Sequence, residues 1–179
     1  VLVEATLALL AEAGYAALTM EAVAARAGVG KATLYRRWSS KVQLVVDALA
    51  SLTEPPERAP QDAERGVRDQ LVALLEAVRR KQGSRAGQIF PRLVGDAVDH
   101  PELMHRYRDQ VLEPRRRRFQ AVLRQGVEQG LVRPDVDLDH AVDLLVGPMA
   151  YRNLLRNDPP PGPELAARIV DDILRALAP

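Results

Sequence analysis

Between Leu18 and Lys41 the chain reads LTMEAVAARAGVGKATLYRRWSSK, and the spacing in this stretch leaves few folds open. Met20, Val23, Ala24 and Ala27 fall at i, i+3, i+4 and i+7, one apolar face of a helix that Thr19 is placed to cap. Gly28 and Val29 interrupt the pattern, with Gly28 where a C-cap glycine belongs. A second, short helix is expected from about Lys31 to Trp38, with Leu34 and Trp38 on one face. Ser39 or Ser40 can cap a further helix that begins at Lys41. Two helices joined by a tight, glycine-containing turn make a helix-turn-helix.

The charges narrow the use of this pattern. Arg26, Lys31, Arg36, Arg37 and Lys41 are basic, and no Asp or Glu lies between Arg26 and Lys41. Thr33, Tyr35 and Ser39 add hydroxyl donors. Cations that release counterions, with neutral donors that fix register, are what docking on nucleic-acid phosphates requires. The plain alternative is a basic, solvated helix pair within an ordinary bundle.

At these residues the chain resembles the TetR family of bacterial transcription regulators. Leu18-Thr19, Val23-Ala24, Ala27-Gly28-Val29, Lys31-Ala32-Thr33-Leu34-Tyr35 and Ser40-Lys41 follow that family's N-terminal signature almost position for position. The departure is Arg36-Arg37-Trp38, where many members carry aromatic or His residues. The resemblance implies that two recognition helices of a homodimer enter successive major grooves of a palindromic double-stranded DNA operator. Lys31, Ala32 and Thr33 then stand nearest base edges. Thr19, Tyr35, Arg37 and Lys41 are placed for phosphates, and Arg36 completes the expected DNA-binding set. A weaker resemblance to a subgroup of the family runs through PELMHRYRDQVLEPRRRRF and LLVGPMAYRNLL.

The rest of the chain reads as helices. Period-2 runs rich in β-branched residues are missing, so the expected class is all-α: a three-helix head plus a helical bundle, about nine helices in all. Helix 1 is expected to end at Gly14, with Leu2, Ala5, Leu9, Leu10 and Ala13 inward. Trp38, four residues after Leu34, is expected in the core of the head. Leu44, Val45, Ala48, Leu49 and Leu52 give the helix from Lys41 an apolar face, a lever between head and bundle. The Pro-rich TEPPERAP (53–60) marks a junction between a DNA-binding domain, 1–52, and a ligand-binding and dimerisation domain, 58–179.

Within the second part, Val67, Leu71, Leu74, Leu75 and Val78 define one helix. Residues 82–87 read as a connection before a helix from about Ile89 to Ala97, with Pro91 in its first turn. A long helix from Pro101 to Gly130 should kink near Gln110, because Pro114 removes a backbone donor. The pair Gly147-Pro148 interrupts the next helix, and NDPPPGP (157–163) precedes the last one. Bulky residues that could line an effector pocket between helices are Phe90, Leu93, Met104, Tyr107, Val111, Phe119 and Met149, though residues at such spacing are more often plain core. Leu165, Ile169, Ile173 and Leu177 recur every four residues. With Tyr151 and Leu155 they are the expected dimer interface, the choice between intrachain packing and a four-helix dimer being tipped by the resemblance.

Other functions find little support. The chain has no cysteine, which excludes disulfides and thiolate chemistry. His100, His105 and His140 show no ligand spacing, and GxSxG, P-loop and GxGxxG motifs are absent. No catalytic residues, metal or cofactor are therefore expected. The run Arg115 to Arg118 points around all sides of a helix, so surface ion pairs suit it better than a second nucleic-acid site. The net charge of +1 makes any attraction to DNA local. With no long apolar run or signal-peptide pattern, the expected place is the cytoplasm, away from membranes. The sequence begins at Val1, which leaves room for an upstream arm. The effector is unreadable. The competing class is a helical small-molecule binder whose DNA-binding head no longer works.

Overall fold

A computed structural model describes residues 1–52, 65–82, 84–156 and 162–179. Among them there are only helices. In order they are α1 (Leu2–Ala17), α2 (Met20–Ala27), α3 (Lys31–Arg37), α4 (Lys41–Ser51), α5 (Val67–Gln82), α6 (Arg85–Asp96), α7 (Pro101–Tyr107), α8 (Glu113–Glu128), α9 (Leu138–Tyr151) and α10 (Glu164–Ala176). A π-helical turn, Arg108–Leu112, joins α7 to α8, and a second, Arg152–Arg156, follows α9. Counting α7, the π turn and α8 as one continuous helix gives nine among the described residues. The junction expected at 53–60 and most of the break at 157–163 lie outside the described residues.

The π turn at Arg108–Leu112 lies where Pro114 is expected to disturb the helix. Pro114 has no N–H to give to Gln110, and the helix widens just before it, so that Glu113 N–H reaches Arg108 O, five residues back. The α6 helix starts earlier than its pattern suggests, at Arg85, so Pro91 lies inside it rather than in its first turn. Asp137 caps α9, its side chain accepting from His140 N at 3.1 Å. Gly130, at φ 69°, closes α8.

The chain forms two compact units, and they do not divide it at one point. The first joins α1–α4 with α6, α7 and the π turn; the second joins α5 with α8–α10. A single boundary between 1–52 and 58–179 is thus not what the packing gives. Ile89, Leu93, Leu103, Tyr107 and Val111 are buried in one core with Leu7, Leu10, Leu34, Trp38, Leu44 and Val45. Apolar side chains go where a partner face exists, and α1 and α4 offer more face than α2 and α3 cover.

That also explains α1. Its buried side is Ala5, Leu7, Ala8 and Leu10, while Leu9 is half-buried and Ala13 exposed. Being packed against α2, α4 and α6, the helix needs a wider apolar arc than one stripe. Thr6 is buried within that arc, its hydroxyl donating to Leu2 O at 2.9 Å. Gly14, at φ 78° and ψ 177°, breaks the helix, which resumes for one turn to Ala17.

In the second unit α10 packs on α5 and α9 around Leu71, Leu75, Phe119, Leu123, Val142, Leu145, Met149, Ala166 and Val170. Arg116 of the arginine run reaches Asp143 at 2.5 Å and Asp139 at 3.1 Å. It is an ion-pairing residue, as its position on a many-sided run suggests, and its partners come from α9.

Candidate nucleic-acid interface

The helix-turn-helix is built by local chemistry at each joint. Thr19 accepts from Ala22 N at 3.1 Å and starts α2. Gly28 ends it in the left-handed region at φ 67°, ψ 30°, a conformation that costs glycine nothing. Val29 N–H then reaches back to Ala24 O at 3.0 Å and fixes the turn. Gly30 leads into α3, whose Leu34 is wholly buried. Trp38, one residue past the helix end, is 2% exposed and donates Nε1–H to Asp47 of α4 at 2.8 Å.

Burying Leu34 and Trp38 orients everything else on α3. Lys31, Ala32, Thr33, Tyr35, Arg36 and Arg37 are all exposed, as is Thr19 at the start of α2. The Arg37 guanidinium lies 4.7 Å from the centre of the Trp38 ring, so one core side chain also steadies a surface cation. The exposed side of α3 therefore offers three cations, two hydroxyls and one methyl on a helix of seven residues.

Two of the basic residues are paired with carboxylates. Arg26 is turned onto α1, where it makes two hydrogen bonds to Glu12 at 2.5 and 2.6 Å, so its charge is compensated. Lys31 Nζ is 3.5 Å from Glu21 Oε1, and the Tyr35 hydroxyl donates to the same oxygen at 3.4 Å. The Glu21 carboxyl is held below the usual range, first by its own backbone N–H and then by Lys31 and Tyr35. Its role was invisible in sequence, because the contact spans the turn.

Lys41 has a different place from the one its motif position suggests. It is half-buried, its ammonium donating to Tyr15 O at 3.0 Å and lying 4.2 Å over the Tyr15 ring. It thereby caps carbonyls at the end of α1, where a cation is favoured. Tyr15 is buried, its phenol pushed up to about 12 by burial and by Glu102. The His100 ring packs edge-on against it, centroids 5.0 Å apart. Asp96, the last residue of α6, accepts Tyr15 N–H at 2.7 Å. Arg92 donates to Ala11 O one turn earlier.

Asp96 and Tyr15 are functional-site neighbours that sequence reasoning passes over, since they are 81 residues apart. Gly14 was the available signal. A Cβ there would come 3.2 Å from Asp96 Oδ2, and φ 78° already disfavours any side chain. Asp96→Ala should leave the Tyr15 N–H without its acceptor and cost about 1–3 kcal/mol in urea denaturation, with Asp96→Asn losing less because an amide oxygen remains. Equal stability of Asp96→Ala and the natural chain would contradict this account.

The remaining site residues fall into two groups. Of those expected to line a pocket, Leu93, Tyr107 and Val111 are buried in the core of the first unit, with Phe90 and Met104 half-buried against it; Phe119 and Met149 are buried in that of the second. Of the expected interface residues, Ile169 and Leu177 are buried in the chain's own core, and Leu165 and Ile173 pack against it. Tyr151 and Leu155 are 55% and 75% exposed. Among the described residues no group of three or more His, Asp or Glu is arranged to hold a metal ion, and no helix is long and apolar enough to cross a membrane.

Residues 2–48 match the model for bacterial regulatory proteins of the tetR family, and residues 62–173 match that for a tetracyclin repressor-like C-terminal domain. The chain is 34% identical over 180 residues to the HTH-type transcriptional regulator Rv1556 of Mycobacterium tuberculosis, covering 98% of this chain and 86% of that one. It is 31% identical to the DNA-binding transcriptional repressor TetR of Mycobacteroides abscessus, covering 98% and 91%. The crystal structure of the TetR family regulator SCO0332 superposes with a TM-score of 0.71 at 32% identity, covering 99% of this chain and 97% of that one.

Proposed function

From its membership of the TetR family of bacterial transcription regulators, to which the chain belongs, we propose that it is a homodimeric repressor of a palindromic operator, released by a small-molecule effector. The observation that carries the reading is α3. Its apolar side is spent on Leu34, and its other side presents Lys31, Thr33, Tyr35, Arg36 and Arg37 to solvent. Recognition helices place their N-terminal residues at base edges, which assigns Lys31, Ala32 and Thr33 to readout. Arg36, Arg37, Tyr35 and Thr19 are assigned to phosphates. Lys41 keeps its phosphate role only through an N–H that the Tyr15 carbonyl does not occupy. The cytoplasm, where the DNA is, is its place of action.

The twofold partner has support from α9. Leu144 and Tyr151 are exposed at i and i+7 on one face of α9, Gly147 and Pro148 are exposed between them, and Leu155 is exposed in the π-helical turn that follows. That face suits a second copy, with Leu165 and Ile173 beside it and Ile169 and Leu177 serving the protomer's own core. Release follows from the shared core of the first unit. The bonds from Asp96 to Tyr15 and from Arg92 to Ala11 tie α6 to α1, so an effector that displaces α6 or α7 must move the head as well. For decisive release the effector must favour the DNA-incompetent state about 10⁴-fold. Phe90, Leu93, Met104, Tyr107 and Val111 within the first unit, and separately Phe119 and Met149 within the second, remain the residues proposed to contact it.

Sequence selection from a randomised duplex pool, with sedimentation of the free protein, tests the reading. An inverted repeat with half-sites about one or two helical turns apart, bound by a dimer, is the expected result. Failure to retain any duplex at low salt favours instead a helical small-molecule binder with an inactive head.

A further inference from the structure

We propose that Glu21 is an internal stand-in for a DNA phosphate: it occupies Lys31 and Tyr35 in the free protein, yields them on binding, and thereby limits the head's affinity for DNA of any sequence. The inference rests on the DNA-binding reading above. Glu21 is the single carboxylate between Leu18 and Lys41. It sits in the first turn of α2 and is stabilised there as an anion by a backbone N–H. One of its oxygens lies 3.5 Å from Lys31 Nζ and 3.4 Å from the Tyr35 hydroxyl. An anionic oxygen at a helix start, with an ammonium and a phenol on it, is the set of contacts a backbone phosphate would make.

A purely structural role, fastening α2 to α3, has little to do. Met20, Val23 and Leu34 already fix the two helices through the core, and Lys31 and Glu21 side chains are 65% and 48% exposed. Exposed pairs of this kind are held weakly, which makes them easy to exchange for a phosphate. Their cost appears only when DNA arrives. Whether it meets a phosphate, as on mixed-sequence DNA, or a base edge, as assigned on the operator, Lys31 must first give up a carboxylate, so its gain on docking is lost or reduced. Glu21 itself then faces the polyanion as a like charge. Both effects weaken docking on any backbone, whereas base contacts made by other residues are untouched. The expected outcome is lower affinity for operator and non-operator duplexes alike.

The test uses the full chain, a fluorescent duplex of randomised sequence about 30 base pairs long, and anisotropy over roughly 50–200 mM salt. Glu21→Gln should bind about 3–10-fold tighter at the low end, with a salt slope steeper by about one per head. Glu21→Ser, which keeps a good first-turn residue, should show the same gain, so that loss of fold in one variant does not decide the matter. In a Lys31→Ala background the gain from Glu21→Gln should largely vanish. Natural-like affinity and slope in both Glu21 variants overturns the proposal, as does weaker binding by folded variants. A gain that is as large without Lys31 overturns the exchange. If the natural chain itself fails to bind the duplex, the DNA-binding reading falls and takes the proposal with it; a natural chain that binds while the variants do not differ sinks the proposal alone.

Discussion

Trp38→Ala should destabilise the first unit by about 4 kcal/mol, the largest single-residue effect we expect in this chain. Removing a large buried aromatic costs about 3–5 kcal/mol through lost transfer energy and the cavity left behind. Trp38 is 2% exposed, in a core with Leu34, Leu44 and Val45, and its Nε1–H satisfies Asp47 at 2.8 Å. Truncation leaves that carboxylate without its donor as well. A domain stable by about 5–15 kcal/mol would then be marginal. Trp38→Phe keeps one aromatic ring but loses the second ring's volume and the indole N–H, so about 2–3 kcal/mol is expected. Circular dichroism in urea gives the measurement, since the substitution removes the chain's one tryptophan and its fluorescence. A Trp38→Ala midpoint equal to that of the natural chain would mean that α3 is held by something else.

The second large effect belongs to the surface of the same helix. Arg36→Ala with Arg37→Ala should lower affinity for mixed-sequence duplex DNA on the order of 100-fold or more at low salt, and flatten the salt slope by nearly one for each phosphate contact removed. Both side chains are exposed, and neither is buried in the core, so the fold should survive. Arg37 also rests on the Trp38 ring at 4.7 Å, which holds its charge in place before DNA arrives. Arg37→Lys should therefore recover only part of the loss, because an ammonium lacks the planar fork and the stacking. Anisotropy titrations at several salt concentrations separate the two terms. Unchanged slope in the double variant would take these arginines off the phosphate backbone.

What sequence could tell follows from what is local. The caps at Thr19 and Ser40, the left-handed Gly28, the core position of Trp38 and the widened turn before Pro114 all depend on neighbours within a few residues. Each was legible from spacing and residue type. The division of the chain was not, because Ile89 and Leu93 look the same on paper whichever apolar face receives them. Lys41 is expected from the resemblance to face a phosphate, yet only the fold shows the end of α1 beside it. Glu21 escaped for the same reason: its partners lie across a turn. Ile169 and Leu177 share one periodic stripe with Leu165 and Ile173, and periodicity does not say how deep each residue of a stripe goes.

The shared core of α1, α4, α6 and α7 bears on how such regulators are recombined. Transplanting residues 1–52 alone onto a foreign sensor would strip Leu7, Leu10 and Val45 of Ile89, Leu93 and Leu103, and present oily surface to water on both fragments. A working hybrid needs a discontinuous graft, with residues 85–113 carried along as a strap. The smallest exchangeable cassette is thus two pieces of chain, and crossover points placed between them cut through a single folding unit.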